Sequence, residues 1–326
     1  MLFCHVLSFL FFVNSSILQG LNELFAIFIP LLLKGFTIMK HLVLLLLPFF
    51  LHAQSIELQI LGSGGPELSK RASSSYIVWI DGKSKALIDA GGGAFTRFAE
   101  AEAKIEDLNF IALSHLHIDH AADLPAFMKA GYFSKRTNAL PILGTVGAGD
   151  FPDIKLYLER LFGTQGAYAY MNDILTKQSD SFQIVPQLFD QGYNSANYGD
   201  IIVGMAGVKH AQIPALAYCL SIGDKKIVFA GDTSAQSEKL INLSHKADYL
   251  IVHHAIPQHA GEYAKELHIT PKRIGEVAAK AQVKNLILSH RMKRTYDSEE
   301  ESLKLIRENY KGNVIWAEDL MKIKVK

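Results

Sequence analysis

This chain is organised around residues 110–124, which read Phe-Ile-Ala-Leu-Ser-His-Leu-His-Ile-Asp-His-Ala-Ala-Asp-Leu. The apolar start, Phe110–Leu113, predicts a buried strand, and four potential metal ligands follow it. These ligands are His115, His117, Asp119 and His120. Alternate side chains of an extended segment point the same way, so the first three would share one side. His120 breaks this alternation and joins the others only if the chain turns there.

Imidazole and carboxylate groups packed so closely predict a metal site rather than a hydrogen-bonded histidine cluster. On a continuous helix His115 and His117 would diverge by about 200°, so a strand end followed by a turn is the better geometry. Such a ligand set suits Zn(II) or a similar divalent transition metal.

Residues 1–53 differ from the rest, because their only charges are Glu23, Lys34 and Lys40. Residues 39–53 have the pattern of a secretory signal peptide: a basic start, a short apolar run and a small residue at the cut. The run is shorter than the roughly 20 residues that span a bilayer. We expect a leader over 1–53, with Met39 as the true start, and a periplasmic or secreted domain over 54–326 without stable membrane insertion. An uncleaved membrane anchor is the alternative.

Charge and cysteine content limit the partners. The leader holds two of the 33 basic and one of the 32 acidic residues, so the remainder is formally neutral. Proteins that grip long polyanions carry a basic excess, so this balance argues against nucleic acid as a partner. Cys219 is the one cysteine outside the leader, which excludes an internal disulfide and predicts a small core residue.

Alternating runs predict strands before the His motif. Ile56–Leu61 is one, and Tyr76–Ile80 and Lys85–Asp89 are two more, joined by a hairpin turn at Asp81-Gly82. Residues 94–104 predict a helix. Asp89 is a possible ligand, although a role in bracing the neighbouring loop fits its position better.

Residues 121–197 have an irregular, partly helical pattern, for which we expect two or three helices. Their aromatic residues are expected to pack the core, and the alternative is that some of them wall a substrate pocket. The aromatics are Tyr132, Phe133, Phe151, Tyr157, Phe162, Tyr168 and Tyr170.

The second half returns to strands and adds further ligands. Strands are predicted at Ile201–Val208, Leu216–Ile222, Lys226–Ala230, Tyr249–Val252, Asn285–Ser289 and Asn313–Trp316, with a helix starting at Thr270-Pro271. This order fits an α/β fold of two sheets covered by helices. His210, Asp232 and His290 follow three of these strands, where layered folds place their chemistry. Seven candidate ligands are enough for two metals that share one carboxylate.

The motif Ser114-His-Leu-His-Ile-Asp-His120, with His210, Gly231-Asp232-Thr233 and Ser289-His290, resembles the metallo-β-lactamase-fold metallohydrolase superfamily over residues 55–326. The resemblance implies a four-layer αββα sandwich with a dinuclear metal site on its edge. It also implies the ligand assignment. The first metal would bind His115, His117 and His210, the second would bind Asp119, His120 and His290, and Asp232 would bridge them.

Within this superfamily the chain is similar to the ribonuclease Z and arylsulfatase–phosphodiesterase branch, through Leu61–Pro66, Asp119–Pro125 and His268-Ile-Thr270. Zinc β-lactamases usually have another residue at the position of His120 and use a thiolate ligand that this chain lacks. Antibiotic hydrolysis is therefore not expected. Two features depart from ribonuclease Z: His253-His254 stands where that family has a His-Glu pair, and no basic, glycine-rich arm for tRNA is evident.

The expected activity is hydrolysis of a phosphodiester, or a related sulfate or carboxylic ester, by a metal-bound hydroxide, since such metals lower the pKa of bound water to about 7. Two Zn(II) ions are expected, with Mn or Fe as alternatives. Asp119 and His268 are the candidate catalytic residues. His268 would donate to the transition state or leaving group, or alternatively hydrogen-bond at the helix entry beside Thr270.

Other functions stay open. One is a ribonuclease Z-like tRNA 3′-processing endonuclease, and another is a lactonase or thioesterase on the same scaffold. A metal-binding protein without activity is a third. The expected substrate is a small-molecule ester, and a homodimer is an open possibility. Arg291, Lys293 and Arg294 either bind an anionic substrate group or form a solvated turn.

Overall fold

The structure is a computed structural model that describes residues 54–176, 178, 182–234 and 238–326. Residues 54–326 form one compact unit. The predicted leader and its signal peptide lie outside the described residues. Within the described ranges, every helix is too short or too polar to cross a membrane.

Seven strands form the first sheet. They are β1 (Ile56–Gly62), β2 (Ser75–Ile80), β3 (Lys83–Ile88), β4 (Phe110–Ala112), β5 (Leu140–Thr145), β6 (Ile184–Phe189) and β14 (Lys322–Val325). Their order is β14-β1-β2-β3-β4-β5-β6. The pairs from β14 to β3 are antiparallel and those from β3 to β6 are parallel. Asp81 and Gly82 join β2 to β3 with positive φ angles of 51° and 72°, as the predicted hairpin turn requires.

The second sheet also has seven strands. They are β7 (Tyr193–Tyr198), β8 (Ile201–His210), β9 (Ile213–Ile222), β10 (Lys225–Phe229), β11 (Tyr249–His253), β12 (Asn285–Ser289) and β13 (Asn313–Trp316). Their order is β13-β12-β11-β10-β9-β8-β7, and β10 to β13 run parallel. Parallel neighbours end at the same edge, so the residues after β10, β11 and β12 lie near one another.

Helices cover the outer faces. They are α1 (Ala94–Glu100), α2 (Ile118–Ala121), α3 (Leu124–Gly131), α4 (Ile154–Phe162), α5 (Asp173–Thr176), α6 (Glu238–Leu243), α7 (Glu262–Leu267), α8 (Pro271–Lys280), α9 (Lys293–Tyr296) and α10 (Glu299–Asn309). Helix α8 begins at the predicted Thr270-Pro271.

Side-chain alternation divides the apolar residues into three layers. In β12, Ile287 faces the other sheet, whereas Leu286 and Leu288 face the helices. One core lies between the two sheets. A second lies between the first sheet and its helices, and a third lies between the second sheet and its helices. This is the four-layer αββα sandwich of the metallo-β-lactamase fold, which confirms the predicted fold class. Cys219 is buried in the core between the second sheet and its helices.

The prediction for residues 121–197 was incomplete. Helices α3, α4 and α5 are present, but the region also contributes three strands, β5, β6 and β7. Pro141 and Pro186 lie within β5 and β6, and proline normally argues against a strand. Strand β7 lies at a sheet edge and is largely polar, so it lacks an apolar run. Helix α1 is also shorter than predicted, because it ends at Glu100.

Candidate metal centre

The His motif follows the short strand β4, as predicted. The chain stays extended at His117 (φ −65°, ψ 150°) and then begins α2 at Ile118. Asp119 therefore already lies on the helix, one residue before the expected turn at His120. The helix brings both side chains back toward His115 and His117. Asp119 and His120 are buried, His117 is half-buried, and Ile118 between them is 75% exposed.

The remaining predicted ligands come from the second sheet. His210 is the last residue of β8, Asp232 follows β10, and His290 follows β12. His290 has a positive φ of 52°, and Gly231, the residue before Asp232, has a positive φ of 62°. The backbone therefore turns sharply at the ends of both strands. All three side chains are almost fully buried. The structure thus brings together the seven side chains that the sequence singled out.

Asp232 lies at the centre of the cluster. Its Oδ2 atom lies 3.8 Å from His115 Nε2 and 3.7 Å from the Nε2 atoms of both His120 and His210. Two ligands at about 2.0–2.1 Å from one tetrahedral ion are separated by about 3.4 Å. These spacings are therefore close to those of donor atoms that share a metal ion.

Two groups of donors meet at Asp232. Site A consists of His115, His117 and His210, and its donor atoms lie with Asp232 within 4.8 Å of one another. Site B consists of Asp119, His120 and His290. Asp119 Oδ2 lies 3.0 Å from His290 Nε2 and 3.6 Å from His120 Nε2.

His253 also lies within 4.8 Å of His120, His290 and Asp232, so distance alone would admit it to site B. Its Nδ1 atom is 2.6 Å from Asp232 Oδ1, which is a hydrogen-bond distance and too short for two ligands of one ion. Its Nε2 atom lies 3.3 Å from the hydroxyl of Tyr76. Both ring nitrogens are thus engaged, and His253 supports Asp232 rather than offering a free donor.

The cluster passes a test of fit for divalent metal. His115 Nε2 and His120 Nε2 are buried, face Asp232 and have no hydrogen-bond partner among the described residues. Buried polar atoms of this kind are normally satisfied. The other ring nitrogens are held from outside: His120 Nδ1 lies 2.7 Å from Asp89, and His210 Nδ1 donates to the Leu267 carbonyl at 2.7 Å. Metal-binding histidines are typically oriented in this way.

Site A is neutral before any metal binds. Burial lowers the pKa of His115 well below its ordinary value, and the nearby charge of His120 adds to the shift. Burial and His210 lower the pKa of His117, and burial outweighs Asp232 at His210. These imidazoles are therefore neutral at neutral pH, and each has one ring nitrogen with a lone pair.

Site B is charged. Burial alone would lower the pKa of His120, but Asp89, Asp232 and Asp119 outweigh it and raise that pKa well above its ordinary value. The same opposition between burial and the carboxylates Asp232 and Asp119 raises the pKa of His290. Burial opposes ionisation of Asp119, yet the two imidazoliums hold its pKa below its usual range. Site B is thus an internal ion-pair network in which protons occupy the positions that a cation would take.

Asp89 braces the ligand loop, as its position suggested. Its Oδ1 atom accepts a hydrogen bond from the Ser114 backbone at 2.7 Å, and its Oδ2 atom lies 2.7 Å from His120 Nδ1. Asp89 has a positive φ of 56°, which directs its carboxylate under the loop.

His268 faces the cluster rather than the helix entry. Its Nδ1 atom is buried, has no hydrogen-bond partner in the described part of the chain and lies 3.7 Å from Asp232 Oδ1. Its ring centroid lies 5.5 Å from that of His210 and 5.9 Å from that of His290, so it touches both sites. Burial lowers its pKa to about 3, which makes it a neutral imidazole at physiological pH.

Of the basic residues after His290, Arg291 is structural, whereas Lys293 and Arg294 are exposed. Arg291 is buried and pairs with Glu299 and Glu318, and Arg294 donates to the Ala255 carbonyl. Neither anion binding nor a solvated turn describes Arg291. Of the aromatics considered for a pocket wall, Phe151 packs edge-on against His117 at a centroid distance of 6.3 Å, whereas Phe162 is buried in the core.

Sequence reasoning missed His253. It is the last residue of β11, so the rule that found His210, Asp232 and His290 would have found it too. We ended that strand at Val252 and interpreted His253-His254 only as a departure from a His-Glu pair. His254 points away from Asp232 and packs edge-on against Trp316, with ring centroids 5.0 Å apart.

Comparison with known proteins identifies the family. Residues 56–311 match the family described as Anti-Pycsar protein Apyc1. The chain belongs to the Apyc1 family. The matched segment contains every residue of sites A and B together with Asp232, His253 and His268.

Relatives of this Apyc1 family member place it in a wider superfamily. Ribonuclease Z of Enterococcus faecalis is 26% identical over 277 residues, covering 72% of this chain and 86% of that protein. The metallo-beta-lactamase fold protein YhfI from Bacillus subtilis superposes with a TM-score of 0.65 at 20% identity, covering 82% and 99% of the two chains. Human tRNase Z, short form, superposes with a TM-score of 0.63 at 22% identity, covering 83% of this chain and 99% of that chain. The chain is therefore an enzyme, a hydrolase of the metallo-β-lactamase-fold superfamily.

The comparisons leave one expectation without support. Neutral overall charge argued against nucleic acid as a partner, yet the curated relatives are named ribonucleases. Zero net charge describes the whole surface and does not exclude a local basic track.

Proposed function

We propose that this protein is an exported dinuclear-metal hydrolase that cleaves a phosphodiester or a related sulfate or carboxylic ester. The position of Asp232 carries the proposal. One of its oxygens is nearly equidistant from imidazole nitrogens of site A and site B, at 3.7–3.8 Å. A carboxylate so placed is suited to bridge two cations, with three further side chains available to each.

Divalent metals, Zn(II) by the chemistry of these ligands, supply Lewis acidity and an activated water at such a centre. The protein contributes orientation and charge. Asp119 stays ionised in site B and can orient a reacting group by accepting a hydrogen bond from it. His268 stays neutral and can donate one N–H to a leaving group or developing anion.

Ribonuclease Z-like cleavage of precursor tRNA is the second candidate, supported by the curated relatives. His254 is the observation that separates the two, because it stands where ribonuclease Z has an acidic residue. His254 is buried and its pKa is lowered by burial to about 4, so it cannot substitute for a carboxylate. We therefore favour a small ester substrate.

The proposed location is periplasmic or extracellular, supported by the signal-like pattern of residues 39–53. Expression of the full chain followed by N-terminal sequencing of the exported protein tests it. The expected new terminus lies next to Ala53, and an intact Met1 on the mature protein would exclude a cleaved signal.

Hydrolysis of bis-p-nitrophenyl phosphate by the zinc-loaded protein tests the activity. We expect turnover that is lost in His117→Ala, which removes one ligand of site A. His259→Ala is the matched control, because the His259 side chain is exposed and pairs with Glu301 at the surface. Wild-type activity in His117→Ala would refute the site.

A substrate panel separates the candidate functions. It contains a cyclic mononucleotide, an aryl sulfate, a lactone and a precursor tRNA, each assayed at equal metal loading. The cyclic mononucleotide, which is the small phosphodiester of the panel, should be the best substrate. Preference for the precursor tRNA would favour the second candidate, and preference for the lactone would move the chemistry to carboxylic esters.

A further inference from the structure

A chain of buried polar groups extends from the cluster into the space between the two sheets. It begins at Asp232, whose Oδ1 atom is bonded by His253 Nδ1 at 2.6 Å, and His253 is 2% exposed. The second oxygen of Asp232, Oδ2, lies 3.7–3.8 Å from His115, His120 and His210. The Oδ1 atom lies 3.7 Å from His290 Nε2. The His253 bond therefore fixes the rotation of the carboxylate and so decides which oxygen faces which ligands.

Tyr76 holds His253 from the opposite side. Its hydroxyl lies 3.3 Å from His253 Nε2 and 2.9 Å from Ser289 Oγ. A phenolic hydroxyl can donate one hydrogen bond and accept another, so Tyr76 can bond to both groups at once. Tyr76 belongs to β2 in the first sheet, whereas His253 and Ser289 belong to β11 and β12 in the second. The contact thus joins the two sheets directly beneath Asp232.

The chain continues to site B. Ser74 Oγ lies 3.4 Å from the Tyr76 hydroxyl and 3.3 Å from Asp89 Oδ2, and Asp89 holds His120 Nδ1. A continuous series of contacts therefore links the shared carboxylate to one imidazole of site B. In order, it consists of Asp232, His253, Tyr76, Ser74, Asp89 and His120.

We propose that Tyr76 and His253 are positioning residues that orient Asp232 for metal binding. The inference rests on the proposed function in one respect, since it takes Asp232 as the shared ligand. Tyr76 touches none of the seven candidate ligands in the contacts described above and acts through His253. Groups that orient a metal ligand in this way typically contribute about 10- to 100-fold to metal affinity or activity.

The test measures zinc affinity by chelator competition, together with kcat and KM. Tyr76→Phe removes one hydroxyl and keeps the ring, which packs on Phe229 with centroids 5.4 Å apart. We expect about 10-fold weaker binding of zinc and a lower kcat with KM unchanged. Tyr310→Phe is the matched control: it removes a buried tyrosine hydroxyl that bonds backbone carbonyls such as that of Lys284, away from the cluster. Its zinc affinity should equal that of the wild type.

His253 variants distinguish orientation from packing. His253→Asn keeps an N–H donor near the Nδ1 position and loses the Tyr76 contact, so it should resemble Tyr76→Phe, and the double variant should be no worse than either single change. His253→Ala should bind zinc more weakly than both. The cobalt(II)-loaded variants should show altered ligand-field spectra, a change that Tyr310→Phe should lack.

The outcomes separate this inference from the proposed function. Unchanged zinc affinity in Tyr76→Phe, or an equal loss in Tyr310→Phe, would overturn the positioning role. A wild type that binds zinc but hydrolyses no substrate would contradict the proposed function alone. A wild type that binds no metal would contradict both.

Discussion

Site A and site B use similar ligands but are prepared for metal in opposite ways. Burial leaves His115, His117 and His210 neutral, so site A offers lone pairs with no proton to displace. His120 and His290 are paired with carboxylates and hold protons at neutral pH. The difference teaches that burial and neighbouring charge, rather than ligand type, decide how each half of one cluster responds to protons and to metal.

The largest effect is expected where the two sites meet. Asp232→Ala removes the shared carboxylate, which is the main counter-charge of His290 and the second one of His120 after Asp89. We expect complete loss of hydrolysis and a free energy of unfolding lower by about 3 kcal/mol, as for other broken buried pairs. Metal analysis and denaturant unfolding of the two proteins measure both effects. Retained activity would mean that the sites do not depend on a common ligand.

His268 sharpens the comparison because it touches both sites and belongs to neither. His268→Ala should lower kcat by about 100-fold, within the range of general acid–base groups, while metal content stays at the wild-type level. Steady-state kinetics and metal analysis of His268→Ala measure both quantities, with His259→Ala as the control. Loss of metal in His268→Ala would instead make His268 a ligand.

The protons of site B predict different pH profiles for the two sites. Metal must displace protons from His120 or His290, so zinc affinity at site B should fall by about tenfold for each pH unit and displaced proton as pH drops from 8 to 6. Affinity at site A should change little over this range, because its histidines are already neutral. Chelator competition measures each site alone, because His115→Ala leaves site B intact and His290→Ala leaves site A intact. Equal slopes would contradict the contrast.

The smallest expected effect is on the stability of the metal-free protein. His253 and His268 have pKa values lowered by burial to about 4 and about 3, so the unfolded chain takes up their protons first and stability falls as pH drops below about 6.5. His120 and His290 have raised pKa values, so the stability they contribute is present below about 6.5 and is lost as pH rises through their folded pKa.

The melting temperature of metal-free protein should therefore peak near neutral pH, falling by a few degrees on either side. Zinc should abolish the alkaline decline, because it takes the place of the protons. Thermal unfolding between pH 5 and 9, with and without zinc, measures both limbs. A decline on the alkaline side that zinc leaves unchanged would show that site B is not its source.

The sequence predicted the cluster well because its ligands follow strand ends. His210 and His290 each follow an apolar run, and parallel strands bring such positions to one edge. His253 obeys the same rule, because it directly follows the predicted strand Tyr249–Val252, but it was interpreted only as part of a departure from a His-Glu pair. The family resemblance implied that Asp232 joins the two sites, but the residue pattern alone could not predict these contacts, since they depend on the packing of one sheet against the other.

The accuracy of the fold prediction differed from strand to strand. Strands with continuous apolar runs, such as β12, were predicted at their correct bounds. Strands β5 and β6 contain proline, and β7 is polar, so local pattern gave no signal for them. Their positions are fixed by neighbours distant in sequence. The register of β6 follows from β5, and that of β7 from β8.

Metal stoichiometry tests the central claim most directly. Elemental analysis of zinc-loaded protein after dialysis should give two ions per chain in the wild type and one in both His115→Ala and His290→Ala, each of which removes one ligand from a different site. One ion per chain in the wild type, or the loss of both ions in either variant, would contradict two sites joined by Asp232.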